Sequence, residues 1–411
     1  MPQRMSRRQF LVASGVIGGA ALGAGATAVT FSRLAAAGRT NPLPVGSGIV
    51  VLVTLYGGND GLNTVIPYQD KTYYAQRLGL SYDQSVVLPL ADGMGLNPSM
   101  TGFKKLYDAG HLAVVRGVGY PSPDRSHFRS MAIWQTGSPT SVVPTGWLGR
   151  WLDANGADPL LAVNIGPVLP PMLAGHSCAG AALPSSGSIT VPTGRYGQAL
   201  RALDTPTSAG TALGQRVVQS GFDLERVAAT LGPALSAAGS ATAAASSSAT
   251  ARGSDLAGQL DIVAACIAAD APTRIYSVSV GGFDTHADEK DAQSRLLGQV
   301  DSAVSGFASQ VASGARGRDV VVTLYSEFGR RVAANASRGT DHGTASNVFV
   351  LGQGVTGGLY GEQPSLTDLD QGDLKYNVDF RSVYATLLEQ TLRTDADNIL
   401  DSAKLPRLAL V

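Results

Sequence analysis

Cysteine is almost missing from this chain: Cys178 and Cys266 are its only two among 411 residues. That count excludes a disulfide framework and a thiolate metal site, and leaves either one bridge or two buried thiols. Charge is scarce as well, at 15% of residues, with 31 basic residues balancing 31 acidic ones. Four of the basic residues, Arg4, Arg7, Arg8 and Arg33, lie in the first 37 positions, which hold no acid. The remainder keeps 27 basic against 31 acidic, a net of about −4. No basic stripe survives, which argues against a nucleic-acid partner. Beyond the N-terminal segment, no apolar run is long enough to cross a bilayer. What is present is a globular composition, 44% hydrophobic, with 50 glycines for tight turns.

The N-terminus carries an export signal. Ser6-Arg7-Arg8-Gln9-Phe10-Leu11 has the S-R-R-x-F-L form read by the twin-arginine translocase, and an apolar stretch runs from Leu11 to Phe31. Ala35-Ala36-Ala37 then supplies small residues of the kind a signal peptidase accepts. Its many Gly and Ala residues favour a cleaved leader over a membrane anchor. The domain reading is therefore a signal over 1–37 and one α/β domain over 38–411. An Ala/Ser-rich insertion at 236–251 reads as flexible. The protein is expected in the periplasm, cell envelope or medium, touching membrane only through its leader.

Strand signals recur along the remaining chain. Residues 49–56 form a continuous apolar run rich in β-branched residues, as expected of a strand buried on both faces, and further strands are expected at 112–118, 274–280, 319–325 and 347–351. Asn97-Pro98 reads as a helix start. Leu297, Val300, Val304, Phe307 and Val311 mark one helical stripe, and Asp379 to Leu392 a closing helix. Alternating strands and helices predict a mostly parallel sheet with helices on both faces.

Polar residues follow these strands. Asp60 follows the first, Asp284 and His286 follow 274–280, and Glu327 follows 319–325. In a parallel sheet the closing ends of strands share one edge, where open α/β folds bind ligands. Carboxylates gathered there repel unless a cation sits among them. With His342 they make an oxygen-rich set with two imidazoles, suited to one or two ions of Zn, Mn, Mg or Ca. Each has a plainer reading: Asp60 as a turn residue, Asp284 and Glu327 as helix caps, the histidines as loop residues. Ser126, in Asp124-Arg125-Ser126-His127-Phe128, reads either as a nucleophile or as a helix cap.

Two tempting motifs lack their required context. Gly352-x-Gly354-x-x-Gly357 runs into Gly358-Leu359-Tyr360, which cannot open a helix. Gly175-His176-Ser177-Cys178-Ala179-Gly180 is not G-x-S-x-G and leads into Pro- and Gly-rich sequence.

Five ordered motifs carry a family resemblance: Leu55 to Thr64, Ser126 to Ser130 with Trp134 to Gly137, Gly281 to His286, Ser326 to Arg330, and Gly339 to Gly343. Together they resemble the bacterial domain-of-unknown-function family 1501, grouped with the alkaline phosphatase, sulfatase and phosphoglycerate mutase clan. The resemblance implies an alkaline phosphatase-like sandwich and a metal-dependent ester hydrolase. It implies Ser126 as nucleophile and metal ligands among Asp60, Asp284, His286, Glu327, Asp341 and His342. Two alignments of the clan's Asp-His pair are open, on Asp341-His342 by letters or on Glu327-Phe328 by position. Each leaves one histidine short.

The expectation is an exported hydrolase of small anionic phosphate or sulfate esters, with Arg330 neutralising the substrate anion. The alternatives are a non-catalytic envelope protein for binding or assembly, and a metal-free serine hydrolase using Ser177.

Overall fold

The computed structural model describes residues 27–28, 31–40, 42–184, 256–400 and 405–411. The twin-arginine motif and the Ala/Ser-rich stretch at 236–251 lie outside the described residues.

The main sheet contains strands β1 (Thr27–Ala28), β2 (Ile49–Leu55), β3 (Leu112–Gly119), β4 (Ala162–Ile165) and β5 (Ala181–Leu183). It continues with β6 (Ile275–Val280), β7 (Val320–Tyr325), β8 (Ser346–Leu351), β9 (Gly358–Tyr360) and β10 (Val378–Asp379). Their order is β1-β5-β4-β6-β2-β7-β8-β3-β9, with β10 also on β3. Every pairing is parallel except the two made by β8, which runs against β7 and β3. This is the expected α/β architecture with a mostly parallel sheet.

Strand β2 shows why the strands form here. All seven of its residues are buried. Ile49, Val51, Val53 and Leu55 enter one core, and Val50 and Leu52 enter the other. A strand feeding two cores is apolar on both faces, which a run of Ile, Val and Leu provides, and its one polar residue, Thr54, bonds the Tyr325 hydroxyl at 3.1 Å.

The helices divide between the faces. One core packs helix α1 (Phe31–Thr40), α4 (Thr101–Asp108), α7 (Leu256–Ala268) and α8 (Glu289–Ala312). The other packs α5 (His127–Thr136), α6 (Trp147–Ala154) and α9 (Phe380–Thr386). Between α1 and α4 lie the short α2 (Gly61–Thr64) and α3 (Lys71–Gln76), which close a small third cluster. On α8, Leu297, Val300, Val304 and Phe307 are buried as their spacing requires.

Two local expectations change. The helix expected at Asn97-Pro98 begins later, at Thr101: Asn97 Oδ1 accepts the Ser99 amide in a turn, while its side-chain amide holds Asn63 O. The closing helix stops at Thr386 and widens into a π turn over Leu387–Thr391. Helix α1 spans position 37, and its Leu34 is fully buried in the first core. Both cysteines are buried thiols with no disulfide between them, and burial pushes Cys266 up to about 12. Among the described residues, no helix is long and apolar enough to cross a membrane.

Candidate metal centre

Four connections deliver the site to one edge of the sheet. β6 is followed by Asp284 and His286, and β7 by Glu327 and Arg330. The segment entering β8 carries His342. The segment after β3 opens α5 with His127 as its first helical residue.

Asp284 Oδ1 is the hub. It lies 3.0 Å from His286 Nε2, 3.2 Å from His342 Nε2 and 3.4 Å from His127 Nε2. The donor atoms of His127, Asp284 and His342 all fall within 4.8 Å of one another, and His286 Nε2 is 2.9 Å from His342 Nε2. Each imidazole turns its other nitrogen to an acceptor. His127 Nδ1 donates to Glu327 Oε1 at 2.7 Å, and His342 Nδ1 donates to the Arg125 carbonyl at 2.8 Å. His286 Nδ1 faces Asp341 Oδ1 at 3.7 Å. With their protons held on Nδ1, His127 and His342 aim their Nε2 lone pairs inward at a carboxylate oxygen, whereas His286 Nδ1 is too far from Asp341 for a hydrogen bond to fix its tautomer. His127 Nε2 is buried and has no hydrogen-bond partner. Converging lone pairs repel each other, and a cation relieves that repulsion. Outer partners that fix the tautomer are the usual companions of metal-bound histidine. The cluster is compatible with a metal ion, and the donors fit one.

The electrostatics agree. Burial acts to raise the Asp284 carboxyl, but the Arg330 hydrogen bond and guanidinium charge, together with the neighbouring imidazoles, outweigh it and hold the group at about 2. The bond to Glu327 raises His127, whereas burial lowers His342. Phe328 lies beneath, its ring 4.8 Å from that of His127 and 4.9 Å from that of His342. The aromatic residue that stands where the Glu327-Phe328 alignment wants a histidine is thus a packing floor for two imidazoles.

The sequence-derived candidates do not all meet here. Asp284, His286 and His342 do. Glu327 sits one shell out: besides His127, its Oε1 accepts the Gly57 amide at 2.9 Å. Asp341 stands behind His286 and accepts from Asn335 at 3.3 Å. Arg330 was expected to meet substrate. Its side chain is instead fully buried and bonds the carbonyls of Gly57, Gly58, Phe283 and Thr340, with further bonds of 2.8 Å to Asp284 and 3.5 Å to His286 Nε2. It ties three loops together beneath the cluster. Ser126 is exposed at the cap position of α5 with no side-chain capping bond, one residue before His127.

Asp60 departs furthest from expectation. It is buried, caps α2 through the Leu62 amide at 3.2 Å, and forms an ion pair with the fully buried Arg77. Arg77 also bonds Val332 O at 3.0 Å and Arg331 O at 2.8 Å. A guanidinium already neutralises this carboxylate, so Asp60 anchors the loop from behind. Beside it, burial and the Asp60 charge push Glu289 up to about 9, and Thr340 Oγ1 donates to Glu289 Oε2 at 2.6 Å.

His127, Arg77 and Glu289 were not singled out from sequence. His127 had a usable signal, a histidine opening the helix after a strand. Arg77, at the end of a short helix, had none. Ser177 lies in a turn whose amides at His176, Ser177 and Cys178 all bond Asp153, and a strand follows it, not a helix. After Leu351 the chain enters β9 and not a helix, so the dinucleotide fingerprint also fails.

No curated protein matches this chain in sequence. Among solved structures, it is similar to BT1596, described as a 2-O GAG sulfatase. Identity is 10% and the TM-score 0.34, over 75% of this chain and 65% of that one. The chain thus spans slightly under two thirds of the sulfatase's length. The profile of the family described as "Protein of unknown function (DUF1501)" matches residues 193–403, just over half of the chain. The motifs and the profile agree, and the chain belongs to the DUF1501 family.

Proposed function

We propose that the protein is an exported, metal-dependent hydrolase of phosphate or sulfate esters. One observation carries the reading: three imidazole Nε2 atoms converge on Asp284 Oδ1 while each opposite nitrogen faces an acceptor. His127, Asp284 and His342 would hold the ion, with His286 as a fourth donor. Three imidazoles with one carboxylate favour Zn or Mn over Mg or Ca. The ion would supply positive charge to polarise the ester's anionic group.

The chain's own groups do the rest. Glu327 keeps the His127 proton on Nδ1, and Arg125 O does the same for His342. Arg330 fixes the loops that carry Asp284 and His342. Ser126, exposed beside His127, is the nucleophile in this reading: its Oγ bonds phosphorus or sulfur as the ester alcohol departs, and water then releases the anion. Export rests on the Ser6 to Leu11 motif, and the translocase is the partner it implies.

Elemental measurement on purified protein, followed by assays with aryl phosphate and aryl sulfate esters in Zn, Mn, Mg and Ca, tests the proposal. Ion-dependent turnover that Ser126→Ala abolishes supports it. Protein that binds no divalent ion and turns over neither ester overturns it.

A further inference from the structure

Beside the cluster, one face of the sheet changes character. On the face covered by α5, α6 and α9, strand β6 reads Ile275, Ser277, Ser279, strand β4 reads Ala162, Asn164, and strand β2 reads Leu52, Thr54, Tyr56. Each row begins apolar and turns polar toward the carboxyl edge. The opposite face stays apolar at the same level, with Val278 and Val280, Val163 and Ile165, and Val53 and Leu55. Asn164 pairs in register with Ser277, and Thr54 with Ser279. Hydroxyls and amides buried in a core cost stability unless they face a cavity or a partner.

They face a cavity. A cleft of about 300 Å³ opens there, lined by Tyr56, Gln135, Asn164, Ser277 and Ser279, with Pro170 among the residues of its outer wall. That volume lies at the small end of ligand clefts. Among the described residues, no charged residue lines it. Its polar groups are under-used: among the described residues Ser277 and Ser279 make no side-chain hydrogen bond, and the Gln135 amide reaches the Tyr56 hydroxyl at a long 3.4 Å. Asn164 holds Val168 O at 2.9 Å through Nδ2, leaving Oδ1 open to the cleft. Tyr56 joins the cleft to the metal centre, because the next residue, Gly57, donates its amide to Glu327.

We propose that this cleft is a substrate subsite for an uncharged, hydroxyl-rich ring, a neutral sugar residue, whose ester group is presented to the neighbouring cluster. The inference rests on the hydrolase reading for what the cluster does, but not for the cleft's own binding. Neutral hydroxyls and amides act as both donors and acceptors, which matches vicinal hydroxyl groups. The Tyr56 ring and the proline wall offer flat apolar surface to the carbon face of a ring. A cleft without a cation gives an anionic group no counter-charge, so the charged end of the substrate belongs at the cluster.

Saturation-transfer NMR on the full chain tests this, with methyl glucoside, methyl galactoside and methyl mannoside as neutral probes. At least one glycoside should bind, and Asn164→Leu and Ser277→Ala should each weaken it about fivefold or more, the effect of losing a hydrogen bond. Metal content and the urea unfolding midpoint, measured on the same samples, should be unchanged, and the unfolding curve shows that the variants are folded. Should Asn164→Leu fail to fold, Ser279→Ala replaces it. Absence of binding by all three glycosides, or unaltered binding in the folded variants, overturns the proposal. Glycoside binding by protein that takes up no metal would sink the hydrolase reading and leave the subsite standing.

Discussion

His127 donates from Nδ1 to Oε1 of Glu327 at 2.7 Å, so a glutamate in the loop after β7 sets the tautomer of a histidine that opens α5. The two residues are 200 positions apart in the chain. Glu327 is buried, and so is the inward-facing Nε2 of His127.

This dyad makes the first prediction. Glu327→Gln should lower divalent-ion affinity by about 10–100-fold, the usual effect of losing a histidine's outer carboxylate. His127→Ala and His342→Ala should weaken it further. Titration calorimetry with Zn and Mn reads both effects, and equal affinity in Glu327→Gln and the parent would remove the dyad from the site.

Arg77 and Asp60 are buried together. Arg77→Met leaves a carboxylate buried without its cation and should cost about 3–5 kcal/mol. Adding Asp60→Asn should recover part of that loss. Urea unfolding of the two single variants and the double variant measures it. The same pair predicts the ion count. With Arg77 already neutralising Asp60, elemental analysis should find one ion per chain, at the histidine cluster.

Gly58 has a φ of +68°, and a Cβ there would lie 2.2 Å from Phe328 Cε2. Gly58→Ala should therefore cost stability by about 1–3 kcal/mol and displace Phe328 from beneath His127 and His342. Weaker metal binding should accompany the lower melting temperature. A loss of stability with metal affinity fully retained would show that the aromatic floor is dispensable.

Glu289 is held up to about 9 against an ordinary 4.5. The folded chain keeps a proton that the unfolded chain gives up between those values, so Glu289 erodes stability as pH rises through that window. Glu289→Gln mimics the protonated form. It should match the parent near pH 5 and exceed it by about 1–2 kcal/mol at pH 8. Melting curves across that range measure the gap, and a gap that does not widen with pH would refute the assignment.

The sequence revealed the sheet more readily than the site. Strands such as 49–55 and 320–325 feed two cores and are apolar at nearly every position, a property visible in any window. Asp284, His286 and His342 were legible because polar residues following such runs fall on a shared edge. Which shell a residue occupies was not legible. Glu327 and Asp60 both follow strands, yet one orients an imidazole and the other pairs with Arg77. Those differences depend on partners 200 and 17 positions away, which no local pattern encodes.

The single reversed strand has a topological result. Because β8 runs back alongside β7, the stretch from Glu327 to His342 departs from and re-enters the sheet at one rim. A parallel successor would have needed a crossover that travels to the far rim before entering. Here one short excursion supplies the group that orients His127 at its start and a donor at its end. The two are also stitched together midway, where Arg330 bridges His342. Loop length in this stretch is therefore constrained at both ends, and insertions between positions 330 and 342 should be far less tolerated than in the loops at the opposite rim.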